Sequence, residues 1–242
     1  MAVKGTLARI LVDEVDLSCE TSAVTMANSI SEDEVTTLCS TAAEYEAILP
    51  SIAISQDGYM NTVNDPGSFE EEMYLRMGVE GAMVAALFGI DVPACVAYVI
   101  DSSFGASMEI NAPAAGVMTL NGAWGQGKGG RRGIRIADLL LNATGSQPSV
   151  DMVTAGTKGG EAYLFVQGVT GALTSAPIVV QHATTSGGTY TTIGTFTVTA
   201  KGAYKAVLSG NVNQWVRLSV TSLGGATGLD VVCVVCVRGV TE

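Results

Sequence analysis

Gln214-Trp215-Val216-Arg217-Leu218-Ser219-Val220-Thr221 is the stretch that decides the fold. Val216, Leu218 and Val220 fall on one face, and Trp215, Arg217, Ser219 and Thr221 on the other. That is the period of two expected of a half-buried strand. Five more runs of this kind surround it: Ala162–Gly168, Pro177–Ala183, Tyr190–Val198, Ala203–Leu208 and Leu229–Arg238. Ser186-Gly187-Gly188, Ser209-Gly210-Asn211 and Gly224-Gly225 supply turns between them. Six short strands punctuated in this way predict an antiparallel β-sandwich over 160–242. The last run is apolar on both faces, so it is expected to be a central strand.

Upstream, Asn142–Val150 (Asn-Ala-Thr-Gly-Ser-Gln-Pro-Ser-Val) has linker composition. The expected organisation is therefore a β-domain over 1–142, a linker over 143–159 and the sandwich over 160–242. In the first domain Thr6–Leu17, Ser22–Ala27, Val35–Cys39 and Ile48–Ser55 read as strands. Asn28–Glu34 reads as a polar loop, and Gln56-Asp57-Gly58 as a turn. One helix is signalled over Phe69–Met77. Ser68 and Glu71 form a capping box, Glu70, Glu71 and Glu72 crowd the positive end, and Gly78 closes it. Gly81–Gly89, Ala94–Asp101 and Ser107–Ala112 return to strand character. Asn121–Arg132 reads as a glycine-rich break, and Ile134–Leu141 as strand or helix. The fold class is mainly β, with one flanking helix.

Composition agrees, since hydrophobic residues make up 48% of the 242 while aromatics reach only 6% and glycines number 29. Small, β-branched and turn-forming residues suit strands and tight turns. Met1–Leu11 lacks the apolar core of a secretory signal, and no window has the length of a membrane span. Cytosolic synthesis is expected. The five cysteines, an odd number, are expected to be free thiols. The net charge of -11 is uneven. Residues 1–121 hold 18 Asp+Glu against 3 Lys+Arg, and 122–242 hold 5 against 9.

Sites of chemistry are few. His182 is the only histidine, and it alternates with Ile178 and Val180 on a strand, which makes it structural. Cys233-x-x-Cys236 would put its thiols on opposite faces of a strand, and no second pair completes a zinc site. Gly125-Gln126-Gly127-Lys128-Gly129-Gly130 fits Gly-x-Gly-x-x-Gly, yet lacks the strand–helix setting of a dinucleotide site. It reads as a mobile loop. Lys128, Arg131, Arg132 and Arg135 form a basic cluster suited to phosphate or, better in so acidic a chain, to an acidic neighbouring subunit. No carboxylate pair stands out as an acid–base couple. The expectation is a protein without catalytic, cofactor or metal sites.

Several segments, in order, resemble the major tail tube proteins of long-tailed (siphovirus-type) bacteriophages. Val35-Thr36-Thr37-Leu38-Cys39-Ser40-Thr41-Ala42-Ala43-Glu44 precedes Ile52-Ala53-Ile54-Ser55-Gln56-Asp57-Gly58-Tyr59. The helix Ser68–Met77 and the strand Met83–Phe88 follow. Glu161-Ala162-Tyr163-Leu164-Phe165-Val166, Ile178-Val179-Val180-Gln181-His182 and Gln214-Trp215-Val216-Arg217-Leu218 then lead to a valine-rich closing strand. The resemblance implies a tail-tube-type β-sandwich with one flanking helix plus a C-terminal β-sandwich decoration domain. It also implies stacked, usually hexameric rings forming a hollow virion tail tube, assembled in the host cytoplasm. The implied partners are further copies, the tape-measure protein, tail-terminator and distal tail proteins, and double-stranded DNA passing without specific binding. An acidic wall repels phosphates and lets a duplex slide. Asp13, Glu14, Asp16, Glu32, Asp33, Glu34 and Asp57 are the candidates for such a wall. The other readings are a head decoration or tail-terminator protein, or a carbohydrate-binding surface protein using Trp215 and Tyr190.

Overall fold

The computed structural model describes residues 8–34, 45–60 and 67–239. In chain order the elements are β1 (Ala8–Val12), β2 (Val15–Asp16), β3 (Thr21–Glu34), β4 (Tyr45–Tyr59), α1 (Phe69–Leu75), β5 (Ala82–Phe88), β6 (Val96–Asn111) and β7 (Thr119–Leu141). They continue with β8 (Gly145–Ser146), β9 (Val150–Asp151), β10 (Gly160–Gly171), β11 (Ala176–Ala183), β12 (Thr191–Val198), β13 (Gly202–Leu208), β14 (Trp215–Val220) and β15 (Ala226–Val237). The chain is mainly β with antiparallel sheets, as expected. It divides into two compact units, one of Met1–Ser18, Ala85–Tyr98 and Arg132–Glu242, the other of Cys19–Val84 and Val99–Arg131.

The first unit contains the expected sandwich. One sheet runs β13-β10-β15-β7 and the other β12-β11-β14, with β8 and β9 each paired to β14. Alternation fixes what lies between them. Leu164 and Val166 on β10, Val231, Cys233 and Val235 on β15, and Ile178, Val180, Val216 and Leu218 opposite all join one core. Each such aliphatic side chain stabilises the fold by about 1.5–3 kcal/mol when fully buried. β15 lies between β10 and β7, and Val232, Val234 and Cys236 on its other face are buried too. That explains a run with no polar face.

The boundaries differ from the expected 1–142 and 160–242. Ile134 to Leu141 of β7 pairs with Val235 to Leu229 of β15, so the sandwich unit takes in the chain from Arg132 onward, together with Met1–Ser18 and Ala85–Tyr98. The segment expected to be a linker supplies β8 and β9. Val150 pairs with Val216, and Val150 and Met152 enter the core. Pro148 separates two pairings of only two residues each, too short to leave a periodic trace in a polar stretch.

The second unit is built on two long hairpins. β3 pairs with β4 over Thr21↔Gly58 to Glu34↔Tyr45. β4 pairs with β7 over Ile54↔Trp124 to Tyr59↔Thr119, and β6 lies on the far side of β7. The order is β3-β4-β7-β6. Helix α1 begins as anticipated: the Glu71 amide donates to Ser68 Oγ at 3.3 Å and the Gly67 amide to Glu71 Oε2 at 2.7 Å. Phe69 and Met73 are fully buried. They sit over a floor of glycines, because a Cβ on Gly122 would collide with both side chains and one on Gly105 would press on Met73. Met77, within the expected helix Phe69–Met77, is exposed because the helix stops at Leu75.

Three expectations are corrected in this unit. Asn28–Glu34 is not a loop but the continuation of β3, and Gln56-Asp57-Gly58 is not a turn but part of β4. Gln56 is fully buried, with Nε2 donating to Thr21 Oγ1 at 2.6 Å. The Gly-x-Gly-x-x-Gly stretch is not a loop but lies in the 23-residue strand β7. Its glycines are packing positions: a Cβ on Gly125 would lie 2.6 Å from the Phe104 ring, one on Gly127 would overlap the Ser102 carbonyl, and one on Gly130 the Ile52 side chain. Val35–Cys39, also expected to be a strand, lies outside the described residues.

Candidate assembly surface

The β3-β4-β7-β6 sheet has two different faces. Paired residues in an antiparallel sheet share a face, so the registers define the rows. Met26, Ile54 and Trp124 make one row, and Val24, Gln56 and Gly122 another, on the face that carries α1. The opposite face carries Ala23, Thr25 and Ala27 on β3, Ala53, Ser55 and Asp57 on β4, and Asn121 and Ala123 on β7. These residues are small, exposed or half-buried, and Asp57 is the one charge among them.

The sheet also has unfinished edges. Among the described residues β3 pairs only with β4, so its outer edge has no strand neighbour. From Ser22 to Ser29 that edge has no charge and no proline, the features that usually block pairing. On the other side, the Gly81 amide meets the Ser103 carbonyl and Met77 bridges Gly105. β5 pairs with β6 on the side away from β7, and beyond Gly105 β6 runs on through Ala106–Asn111, past the point where the Gly81 amide meets Ser103. Among the described residues the unit therefore presents the outer edge of β3 on one flank and the Ala106–Asn111 stretch of β6 on the other.

The charge asymmetry persists between the units, though it is smaller than between residues 1–121 and 122–242. Residues of the second unit hold 14 Asp+Glu against 3 Lys+Arg, a net of -11, while the first unit holds 9 of each. The acidic candidates are split between them. Asp57 is exposed on the open face, and Glu32, Asp33 and Glu34 occupy the end of β3 opposite Ala47, Glu46 and Tyr45, with their side chains outside what is described. Asp13, Glu14 and Asp16 belong to the sandwich unit. Asp13 holds a left-handed turn (φ 48°) between β1 and β2. Asp16 accepts from Arg9 Nε at 2.7 Å and from the Ser18 amide at 3.0 Å. Burial pulls the Arg9 guanidinium down, but Asp16 and Asp138 outweigh it and leave it raised.

The basic candidates do not form one patch. Arg135 is 6% exposed and donates to Asp138 at 2.7 Å and to the carbonyls of Ile90 and Val92 at 3.0 and 2.8 Å. Its charge is used inside the sandwich unit. Arg132 is exposed, Arg131 is half-buried, and the Lys128 side chain lies outside what is described.

The remaining motifs have structural settings. His182 Nδ1 accepts from the Asn213 amide at 2.9 Å, and burial lowers its pKa. Cys233 faces the sandwich core, where burial pushes its thiol up, and Cys236 faces the other way. The Arg217 guanidinium lies 3.8 Å over the Tyr190 ring, so one face of that ring is covered. A cavity of about 670 Å³ in the sandwich unit is lined by Ile134, Met152, Val235 and Val237, with Arg132 at its side. Among the described residues no three His, Cys, Asp or Glu side chains converge as metal ligands. No described helix is long and apolar enough to cross a membrane.

No protein-family model matches the chain, and no curated protein does. Solved structures do. A component of the virion of a native gene transfer agent particle superposes with a TM-score of 0.39 at 16% identity, covering 53% of this chain and 97% of that one. The Dit protein of phage SPP1, described as a hub adsorption apparatus in phages infecting Gram-positive hosts, gives 0.35 at 12% identity, covering 94% and 98%. A chain of the anti-feeding prophage baseplate gives 0.35 at 11% identity, covering 52% and 89%.

Proposed function

We propose that this chain is a structural, non-enzymatic subunit of a bacteriophage tail, and that its copies close into rings that stack into the tail tube. The observation that carries the reading is the strand run β3-β4-β7-β6, in which, among the described residues, β3 has no outer strand neighbour and the Ala106–Asn111 stretch of β6 lies beyond its pairing with β5. Edge pairing between the β3 of one copy and the β6 of the next continues the sheet from subunit to subunit. Such head-to-tail contacts use two different surfaces and close when the rotation allows, and closure removes both edges. Six copies would contribute about 24 strands. At about 4.8 Å per strand the barrel is roughly 37 Å across, and strand tilt widens it.

The face away from α1 then lines the bore. Its small neutral side chains and Asp57 offer phosphates no cation, and the unit's charge of -11 is repeated in every copy. Double-stranded DNA has nothing there to release its counterions, so it passes without being held. The sandwich unit decorates the tube. Partners in this reading are further copies, the tape-measure protein during assembly, and the terminator and distal tail proteins at the two ends. The protein resides in the virion tail after assembly in the host cytoplasm.

Negative-stain electron microscopy of the purified protein tests the reading. Rings or tubes with an open bore are expected. A protein that remains a single copy at high concentration contradicts it.

A further inference from the structure

Arg217 is fixed in place by the sandwich unit but has no anion to bind. Its Nε donates to Gln181 Oε1 at 3.0 Å, and its guanidinium lies 3.8 Å over the Tyr190 ring. The Tyr190 hydroxyl donates to the Ser186 carbonyl at 3.1 Å, so the ring is anchored in turn. Other arginines that the fold orders end on carboxylates: Arg9 on Asp16 and Asp138, Arg76 on Glu72, Arg135 on Asp138, and Arg238 on Glu161. Among the described residues no carboxylate forms an ion pair with Arg217. With Nε used, both terminal nitrogens remain to donate, in the planar geometry that matches a carboxylate or a phosphate.

The surroundings of Arg217 are polar and open. Val216, Leu218 and Val220 point into the sandwich, so Trp215, Arg217 and Ser219 point out of it. Paired residues share that outer face, with Gln181 beside Arg217 and Thr192 beside Gln181. The next row, Thr195-Val179-Ser219-Ser146, crosses four strands, about 14 Å at 4.8 Å between neighbours. That is longer than one sugar ring. Trp215, two residues from Arg217 on β14, is half-buried and adds an apolar ring to the hydroxyls and amides. Asp151 pairs with Trp215 and not with Arg217, and its Oδ1 accepts from the Val153 amide and from Gln214 Nε2.

We propose that this face binds an anionic, hydroxylated polymer, a sugar or polyol chain whose carboxylate or phosphate seats on Arg217 and whose C–H face lies on Trp215. Charge selects the ligand. A guanidinium already held by Tyr190 and Gln181 loses little freedom when it binds. A hydrogen bond to an ionised acceptor is roughly twice as strong as one between neutral groups. A neutral sugar gains Trp215 and the hydroxyls but leaves the guanidinium unused. The sandwich unit holds 9 acidic and 9 basic residues, so as a whole it does not repel an anion. The site lies entirely in that unit and requires neither ring nor tube.

Isothermal titration calorimetry of the full chain tests the site with three probes: an oligogalacturonate, the same oligomer with its carboxyls methyl-esterified, and a poly(glycerol phosphate). At least one anionic probe should bind saturably, and the tighter of the two identifies the anion as a carboxylate or a phosphodiester. The ester should bind at least tenfold more weakly than the acid. Arg217→Gln should weaken the anionic probe at least tenfold. Arg217→Lys should weaken it nearly as much, because an ammonium keeps the charge and loses both the planar donor pair and the stack. Circular dichroism checks that both variants fold. Equal affinity for the acid and its ester, binding that survives Arg217→Gln, or no binding of either anionic probe overturns the site. An Arg217→Gln protein that binds as before and no longer assembles assigns Arg217 to a contact between copies, which overturns it too.

Discussion

Gly127→Ala tests whether the glycine-rich stretch is a packed strand. A Cβ at Gly127 would overlap the Ser102 carbonyl and approach the Glu80 carboxyl carbon to 3.3 Å. The first of these is backbone, so relief requires β6 and β7 to move apart. Overpacking of this kind costs about 1–3 kcal/mol. Removing a glycine from a strand returns about 0.5–1 kcal/mol. The net expectation is a loss of about 1–2 kcal/mol. Gly187→Ala is the control, because nothing lies within 4 Å of a Cβ there and its φ is ordinary; it should be neutral or stabilising by up to about 1 kcal/mol. Urea unfolding read by fluorescence separates them. Trp124 is fully buried in the same unit, so a Trp215→Phe background leaves a single reporter there. With a slope of about 2 kcal/mol per molar urea, Gly127→Ala should lower the midpoint by about 0.5–1 M. A Gly127→Ala midpoint equal to that of the same background without the substitution would refute the packed strand and return the stretch to a loop.

Ser68→Ala removes the side-chain acceptor of the Glu71 amide and should destabilise the second unit by about 1 kcal/mol, read by the same fluorescence. Glu161 is buried, and its carboxylate receives Arg238 at 2.6 Å, Lys205 at 3.3 Å and the Tyr163 hydroxyl at 3.1 Å; because Arg238 is partly exposed, Glu161→Gln should cost about 1–3 kcal/mol in chemical denaturation. His182 has a folded pKa below its unfolded one, so the unfolded state binds the proton first and stability should fall as the pH drops through the unfolded value of about 6.5. His182→Gln should flatten that slope between pH 7 and 5, and an unchanged slope would show that the ring does not contribute. Cys233 should resist thiol reagents in the native protein at pH 8 while exposed Cys19 reacts, which mass spectrometry of the labelled chain would reveal.

Strands β11 and β14 of the sandwich were legible because they are buried on one face only. Alternation in Gln214–Thr221 and Pro177–Ala183 survives into β14 and β11 within two residues at each end. The helix was legible through its cap. The full length of β3 beyond Ser22–Ala27 and the glycine-rich part of β7 were not, for two physical reasons. Over Thr25–Ser29 four of the five side chains of β3 are exposed, so no hydrophobic period marks it. In β7 the glycines are chosen by neighbours distant in the chain, the Phe104 ring, the Ser102 carbonyl and Ile52, which single-sequence patterning cannot see. The linker reading failed where pairing is short and ordered by β14. Charge asymmetry was visible beforehand, but its assignment to one unit required the structure, since Asp13, Glu14 and Asp16 belong to the other. The free edges of β3 and β6 had no sequence signature apart from the absence of charge between Ser22 and Ser29.

Cryo-electron microscopy of the assembled protein tests the central claim most directly. The account predicts a closed ring in which main-chain hydrogen bonds join β3 of each copy to the Ala106–Asn111 segment of its neighbour, with Asp57 facing an open, negative bore. An assembly in which both edges face solvent, or whose bore is basic, would contradict it.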